Sequence, residues 1–128
     1  MIYEVITTNQ ADVDLRGIYE YIAFELLSPD NASRQLERLE EHIIGLEEFP
    51  EKFRPYEKEP WHSRGLRVMP VDNYLVFYIP DKDAGIVTVI RVMYNGRDVD
   101  NQLVNHTKMF ATALKTPLTE IIYIILRG

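Results

Sequence analysis

The sequence predicts a single α+β domain, in which a hairpin of two helices packs on one face of a small, mostly antiparallel sheet. Two observations carry this prediction. Apolar residues in the first half recur with the period of a helix, whereas those of the second half lie in extended runs. The predicted order of elements is β-α-α-β-β-β. A chain of 128 residues, 46% hydrophobic, is long enough for one core and should bury roughly 65% of its unfolded surface.

The first strand and first helix are predicted from residues 2–26. Residues 2–7, IYEVIT, alternate apolar and polar side chains, as a short strand does. Asn9 follows as the predicted N-cap of a helix. The apolar residues of this helix recur at steps of three or four, which is the pattern of an amphipathic helix; they are Leu15, Ile18, Ile22 and Leu26.

The second helix has clear signals at both ends. Ser28 is a suitable N-cap, Pro29 is tolerated in the first turn, and the charge of Asp30 favours this end of the helix dipole. One apolar stripe follows and Pro50 is predicted to end it; the stripe consists of Ala32, Leu36, Leu39, Ile43 and Leu46. Because the connection between the two helices is very short, they should form an antiparallel hairpin.

The second half changes from helical to extended patterning. Residues 50–63 hold three prolines and mixed charges, which indicates an irregular connection. Three predicted strands follow, with the sequences RGLRVMPV, NYLVFYIP and IVTVIRVMY. Short turns rich in Asp, Asn and Gly join them, so they should form an antiparallel meander.

The composition excludes several classes of protein. The absence of cysteine removes disulfides, thiolate zinc sites and cysteine nucleophiles, and the three histidines are not spaced as a ligand pair. We therefore expect no metal and no cofactor. The N-terminal residues lack the pattern of a signal peptide, and no apolar run approaches the roughly 18 residues that span a bilayer. A soluble, cytoplasmic protein without a membrane partner is expected.

The net charge of −6 is distributed unevenly along the chain. Residues 1–60 carry −8 and residues 61–128 carry +2. The acidic charges are expected on the solvated faces of the two helices. The overall charge disfavours a nucleic-acid partner, but the second half could still present a local basic surface.

Four segments together carry a family resemblance; they are DLRGIYEYI, SPDNASRQLERLEEHIIGLEEFP, RGLRVMPVDNYLVFYI and VIRVMYNGRD. In this order they resemble the RelE/ParE superfamily of toxins from bacterial type II toxin–antitoxin modules. The long second helix, which starts with a proline, is more similar to the ParE branch. The resemblance predicts a RelE/ParE-like toxin domain over residues 1–103 and a C-terminal extension of unknown role over residues 104–128.

The resemblance implies a growth-inhibiting toxin of a plasmid-stabilising, or addiction, module, which a cognate antitoxin would neutralise. ParE-like members inhibit DNA gyrase without an established catalytic residue, and we favour this activity. RelE-like members instead cut mRNA in the ribosome, which would make the chain an endoribonuclease. An inactive relative is the third alternative.

A nuclease would need a proton acceptor, a proton donor and cations for the phosphate charge. The candidate catalytic residues are Arg67, Tyr94 and Arg97, and the candidate phosphate-binding residues are Arg64 and Arg91. The match to RelE-like enzymes is incomplete. Their arginine after a middle-strand tyrosine corresponds to Leu75 here, and Tyr94 stands where many relatives have histidine. One cation is therefore missing and one proton carrier is replaced.

The same residues also have structural interpretations. Arg97 could pair with the adjacent Asp98, Arg91 could pair with a helix carboxylate, and Tyr94 could be a core residue at the end of its strand. Arg67 alternates with apolar neighbours, so it should lie on the open face if those neighbours face the core. In the last predicted strand, Tyr94 alternates in phase with Ile90 and Val92, and Arg91 in phase with Val89 and Met93. Both sets are mainly apolar, so the pattern does not assign the faces of this strand.

The C-terminal extension ends in the apolar run IIYIIL. A helix is predicted near residues 107–114, and Pro117 should break the chain before the run. High β-propensity would make this run an aggregation hazard if it were exposed. It could add a strand to the sheet, pair with a second copy in a homodimer, or be an atypical extension, and over the open face it would mask Arg67 and Tyr94.

Overall fold

The computed structural model describes residues 1–96, 98–107 and 116–127. The strands are β1 (Glu4–Thr7), β2 (Arg67–Val71), β3 (Tyr74–Asp81), β4 (Ile86–Tyr94) and β5 (Thr116–Pro117). The helices are α1 (Asn9–Glu20), α2 (Pro29–Ile44), α3 (Val99–Asn105) and α4 (Leu118–Arg127). Within these residues the sheet order is β2-β3-β4-β1-β5, with β1 parallel to β4 and the other pairs antiparallel. The predicted α+β class and the meander are confirmed.

The start of α1 is fixed by Thr8 rather than by the predicted Asn9. The Thr8 hydroxyl accepts a hydrogen bond from the Ala11 amide at 3.1 Å and donates one to the Ile90 carbonyl at 2.9 Å. Thr8 can therefore cap the helix and tie its first turn to β4 at the same time. At the other end, a π-helical segment spans Tyr21–Glu25, and Leu26 beyond it is exposed instead of continuing the apolar stripe. The wider turn changes the phase of the side chains.

Helix α2 matches the predicted stripe closely, because Ala32, Leu36, Leu39, Ile43 and Leu46 are all fully buried. The α-helix itself ends at Ile44 and continues as a 3₁₀ turn over residues 45–47, so it stops before the predicted boundary at Pro50. On its outer side, Arg38 pairs with Asp72 in the β2–β3 turn at 2.8 Å. This pair links the helical layer to one end of the sheet.

Both faces of the sheet are covered by apolar side chains. The main cluster lies between the sheet and helices α1, α2 and α4. The second cluster comprises Tyr56, Trp61, Leu66, Val68, Phe77, Met93 and Leu103. It lies on the opposite face, under the 50–66 connection and α3. Burial on two faces explains why the strands carry apolar residues of both parities.

A β-bulge interrupts the pairing of β3 with β4. Phe77 lies opposite Arg91, whereas its neighbour Tyr78 lies opposite Val89, so Ile90 is an extra residue on β4. A bulge of this kind re-aims the side chains that follow it. The alternation of side chains along β4 is therefore interrupted at Ile90.

The C-terminal residues that the structure describes, 116–127, pack against the domain. Strand β5, which pairs with the free edge of β1, consists of Thr116–Pro117 and not of the run IIYIIL, so the prediction that this run adds a strand is wrong. The run IIYIIL is part of helix α4, which packs against α2. The helix predicted near residues 107–114 lies, except for Thr107, outside the described residues. None of the described helices combines the length and apolar character needed to cross a membrane.

Candidate functional site

The Arg67 guanidinium is held by the connection that precedes its strand. Its Nη1 atom donates hydrogen bonds to the carbonyls of Glu51 at 3.0 Å and Phe53 at 2.7 Å. Arg67 shares its strand face with Met69, which belongs to the main cluster, while Leu66 and Val68 belong to the second cluster. The expected position of Arg67 on an open face is therefore wrong, because the face opposite Leu66 and Val68 is the one that packs on α1, α2 and α4.

Arg91 pairs with a helix carboxylate, as one prediction stated, and the partner is Asp14 of α1. The guanidinium meets the carboxylate through two hydrogen bonds of 2.7 and 2.9 Å. The two side chains are only 12% and 13% exposed. Burial raises the pKa of Asp14, and the Arg91 guanidinium and the Val92 amide oppose that rise. Asp14 thus keeps a buried counter-ion at the edge of β4.

The position of this ion pair follows from the unequal lengths of neighbouring strands. Strand β1 ends at Thr7, opposite Val89, whereas β4 continues to Tyr94. Beyond the end of β1, helix α1 lies along the edge of β4, and Asp14 accepts the Val92 N–H at 2.9 Å. The carboxylate therefore replaces a strand as the partner of this amide. Arg91 also donates to the Thr107 hydroxyl at 2.9 Å, which links α1 and β4 to the residues after α3.

Tyr94 is 63% exposed, so its interpretation as a core residue is wrong. Its ring packs edge-to-face on Tyr74, with 5.9 Å between centroids. Arg64 lies in an exposed 3₁₀ turn over His62–Arg64. Arg97, the remaining predicted residue, lies outside the described residues.

The described catalytic candidates are not brought together. Arg67 lies opposite Tyr78 and Tyr94 lies opposite Tyr74. These two partners are four residues apart on β3, which corresponds to about 13 Å along the strand. Leu75, at the position of the missing arginine, packs against the second cluster. The part of the sheet that the structure describes therefore holds no assembled set of Arg67 and Tyr94 around one phosphate.

A polar network beside the second cluster was not predicted from the sequence. The Tyr56 hydroxyl donates to Asp100 at 2.5 Å, and Lys58 forms an ion pair with the same carboxylate. Lys58 and Tyr56 lower the pKa of Asp100, while burial and the bond to Asp100 raise the pKa of Tyr56. A phenol with a raised pKa keeps its proton near neutral pH. The network therefore anchors α3 to the connection and is poorly suited to proton transfer.

Substitution of Asp100 by asparagine should give a pH-dependent loss of stability. The folded-state pKa of Asp100 is lowered, so its carboxylate stabilises the fold above the unfolded-state value of about 3.9. That contribution disappears as the pH falls through the lower folded-state value. Chemical denaturation should show a small deficit for Asp100→Asn near neutral pH and none in strong acid. An equal deficit at both pH values would show that the charge is not involved.

A wide concave surface lies where α1 passes the end of β4, and we call it the edge groove. Its volume is about 1100 Å³, and Ile18, Ile22, Tyr74, Val92 and Met93 line it together with the exposed side chains of Val13, Tyr21, Leu26 and Tyr94. The Asp14–Arg91 pair also lines it, as does α3 through Val99 and Gln102. Of the predicted site residues, Arg91 and Tyr94 therefore meet at one surface.

Sequence reasoning missed this groove because its walls come from four separate segments. The available signal was local: Val13 and Gly17 of α1 and Tyr21 of the π-helical segment recur at steps of four, so that a glycine separates two large apolar side chains. Within the described residues, no group of three or more histidine and carboxylate side chains is arranged to hold a metal ion. The apolar side chains that line the groove suit it to binding apolar groups.

Comparisons with known proteins agree with this architecture. Residues 5–99 match a family model described as the ParE toxin of the type II toxin-antitoxin system, parDE. The chromosomal ParDE system from P. aeruginosa has a similar fold, with a TM-score of 0.62 and 17% identity over 74% of this chain and 98% of that chain. The toxin-antitoxin complex RelBE2 from Mycobacterium tuberculosis has a TM-score of 0.54 and 23% identity over 73% of this chain and 99% of that chain. No curated protein matches the sequence.

Proposed function

The chain belongs to the ParE toxin family of type II toxin–antitoxin systems, and from this membership we propose that it arrests bacterial growth by a non-catalytic action on DNA gyrase. A cognate antitoxin would neutralise it, and the pair would act as a plasmid-stabilising module. Gyrase is the target that its resemblance to ParE-like toxins implies. Ribosome-dependent cleavage of mRNA is the competing activity of the superfamily.

The observation that most favours the non-catalytic activity is that Arg67 and Arg91 already have hydrogen-bond partners within the chain. Arg67 is engaged by two backbone carbonyls, and Arg91 is engaged by Asp14. Leucine at position 75 removes a further cation that RelE-like enzymes carry. A nuclease needs cations that are free to stabilise charge developing on the phosphate. Among the described candidates, Arg67 and Arg91 would each have to leave a partner first.

The antitoxin partner is supported by the solved structures of similar fold, which contain toxin–antitoxin systems. We propose that the cognate antitoxin covers the edge groove. An open apolar groove with a polar rim is the kind of surface that marks a protein interface. Its rim amides come from Asn31, Gln35, Asn73 and Gln102.

Induced expression without an antitoxin tests the proposed function. Cells should stop DNA synthesis and form filaments while pulse-labelled protein synthesis continues, and the purified protein should inhibit gyrase supercoiling without cutting RNA. Arg97→Ala should keep this activity within a few-fold, because no phosphate chemistry is involved. A rapid stop in protein synthesis with cut transcripts would instead identify a nuclease. Unimpaired growth would identify an inactive relative.

A further inference from the structure

The turn of the helical hairpin holds a leucine in a backbone conformation that leucine does not favour. The Leu26 N–H donates to the Tyr21 carbonyl at 3.0 Å, which closes the π-helical segment. The Ser28 N–H donates to the Ile22 carbonyl at 3.0 Å. Leu27 lies between these two donors with a φ of +53°. Glycine is the usual residue at such a left-handed position after a helix, because a side chain there strains the backbone.

The strain at Leu27 is not offset by burial, because this residue is 82% exposed. Leucine stabilises a fold mainly when its side chain is removed from water, so an exposed leucine contributes little. Strained backbone conformations cluster at sites where a function requires them, and π-helical segments are also frequent at functional sites. The two features coincide at the end of the hairpin.

Leu27 is one of four large apolar side chains that are exposed at this end of the hairpin. The others are Tyr21, Phe24 and Leu26, and each is more than half exposed. We call these four side chains the hairpin tip. Single exposed apolar residues are common on protein surfaces, but four within residues 21–27 are a cluster. Exposed apolar patches of this kind mark interaction surfaces.

The hairpin tip adjoins the edge groove without being part of it. Tyr21 and Leu26 line the groove, whereas Phe24 and Leu27 do not. A protein seated in the groove would therefore cover half of the tip. It would compete with any second partner that needs the whole tip.

The charge around the hairpin tip narrows the kind of partner. Residues 19–30 carry three carboxylates and no lysine or arginine, so their net charge is −3; the carboxylates belong to Glu20, Glu25 and Asp30. The tip of a second copy would present the same charge, and an anionic membrane surface would also repel it. Basic side chains around an apolar pocket would complement the tip. An enzyme that binds DNA carries lysine and arginine where it receives the phosphates.

We propose that the hairpin tip is the surface that docks on the target enzyme, with Phe24 and Leu27 in an apolar pocket bordered by basic side chains. This inference rests on the proposed function for the identity of the target as gyrase. Burial of Leu27 in the complex offsets the strain that the free protein carries. Neutralisation then follows from overlap, since a protein in the edge groove would cover Tyr21 and Leu26.

Leu27→Gly separates docking from folding. Glycine adopts the left-handed conformation without strain, so this variant should unfold at the same urea concentration as the wild type or a higher one. Phe49→Gly is the matched control. Phe49 is also left-handed, with a φ of +52°, and is 77% exposed, but it lies beside Met1 and Ile2 and outside the tip. Both variants remove a large exposed side chain from a strained position.

Inhibition of gyrase supercoiling measures the effect on docking. Leu27→Gly should need at least about 30-fold more protein than the wild type for half-inhibition, which corresponds to about 2 kcal/mol. Phe49→Gly should stay within about twofold of the wild type. Equal inhibition by all three proteins would overturn the docking surface and leave the proposed function standing. Equal losses in both variants would also overturn it, because the relieved backbone strain would then be the cause.

Charge reversal at the tip tests the chemistry of the partner. Glu25→Lys should weaken inhibition at least about tenfold in low salt and less in high salt, because salt screens the attraction. Asp83→Lys changes the net charge equally in the exposed turn between β3 and β4, and it should stay within about twofold. Unchanged or stronger inhibition by Glu25→Lys would overturn the basic partner surface.

Two further outcomes distinguish this inference from the proposed function. Wild-type dimers that Leu27→Gly separates would assign the tip to a second copy and overturn the docking surface alone. If the wild type does not inhibit gyrase, the proposed function fails and this inference fails with it.

Discussion

Replacement of Arg91 by alanine is expected to lower the free energy of unfolding by about 3–5 kcal/mol, because it leaves the Asp14 carboxylate buried without its counter-ion. The pair is almost enclosed, with both side chains less than 15% exposed. The same substitution removes the hydrogen bond to Thr107 and leaves only the Val92 amide on the carboxylate. Urea denaturation near neutral pH measures this loss.

The surface pair between Arg38 and Asp72 is the matched control. It has a similar N–O distance of 2.8 Å, but the Arg38 side chain is half exposed. Arg38→Ala should therefore cost no more than about 1 kcal/mol. The double variant Asp14→Leu, Arg91→Met should recover part of the loss, since it removes both charges but leaves the Val92 N–H without its acceptor. Similar losses for Arg91→Ala and Arg38→Ala would show that burial of the Asp14–Arg91 pair does not matter.

The helical hairpin and the meander were predictable because their signals are local. Every member of the α2 stripe is buried, and the three strands of the second half form in the predicted order. A period of 3.6 or 2 residues is set by backbone geometry and needs no knowledge of neighbouring elements. The caps were less predictable. Thr8 rather than Asn9 is the N-cap, because the Thr8 hydroxyl also donates a hydrogen bond to the carbonyl of Ile90, which is distant in sequence.

The faces of the strands could not be predicted, and the reason is the second cluster. Alternation identifies a buried face only if the other face is solvated. Here Phe77 and Tyr78, which are adjacent on β3, are both buried, one in each cluster. The bulge at Ile90 then shifts the alternation within β4. Both faces of β2 are covered as well, so Arg67 does not lie on the open face that was expected if Leu66 and Val68 face the core.

The candidate site was predictable only in part. A strand arginine that pairs with a helix carboxylate follows from the cost of burying an isolated charge, but nothing local identifies Asp14 among the acidic residues of the two helices. The exposure of Tyr94 depends on β1 ending at Thr7, since a longer β1 would have covered that edge of β4. The edge groove is thus a product of tertiary structure. The residues that line it can be read in the sequence, but the sequence does not show which of them lie close together.

The apolar run of the C-terminal residues shows how tertiary contacts override local propensity. Isoleucine and tyrosine favour strands, yet IIYIIL is helical. Ile122 and Ile125 lie three residues apart, on one face of a helix, and both enter the main cluster beside α2. Among residues 116–127, strand pairing is confined to Thr116–Pro117, where the edge of β1 is available. Packing against α2 and β1 therefore determines that this run forms a helix.

Replacement of Ile122 by alanine is accordingly expected to lower the free energy of unfolding by about 2–5 kcal/mol, through the lost burial and the cavity left behind. Its side chain is 3% exposed, whereas that of the nearby Ile124 is 42% exposed. Ile124→Ala is the matched control, and surface substitutions of this kind usually stay within about 0.5 kcal/mol. A loss below about 1 kcal/mol for Ile122→Ala, together with proteolytic release of the C-terminal residues, would show that α4 is only appended to the toxin domain. A loss in the expected range would show that α4 completes the core, so that removing the residues after Thr107 should leave β1 and α2 exposed and the protein prone to aggregate.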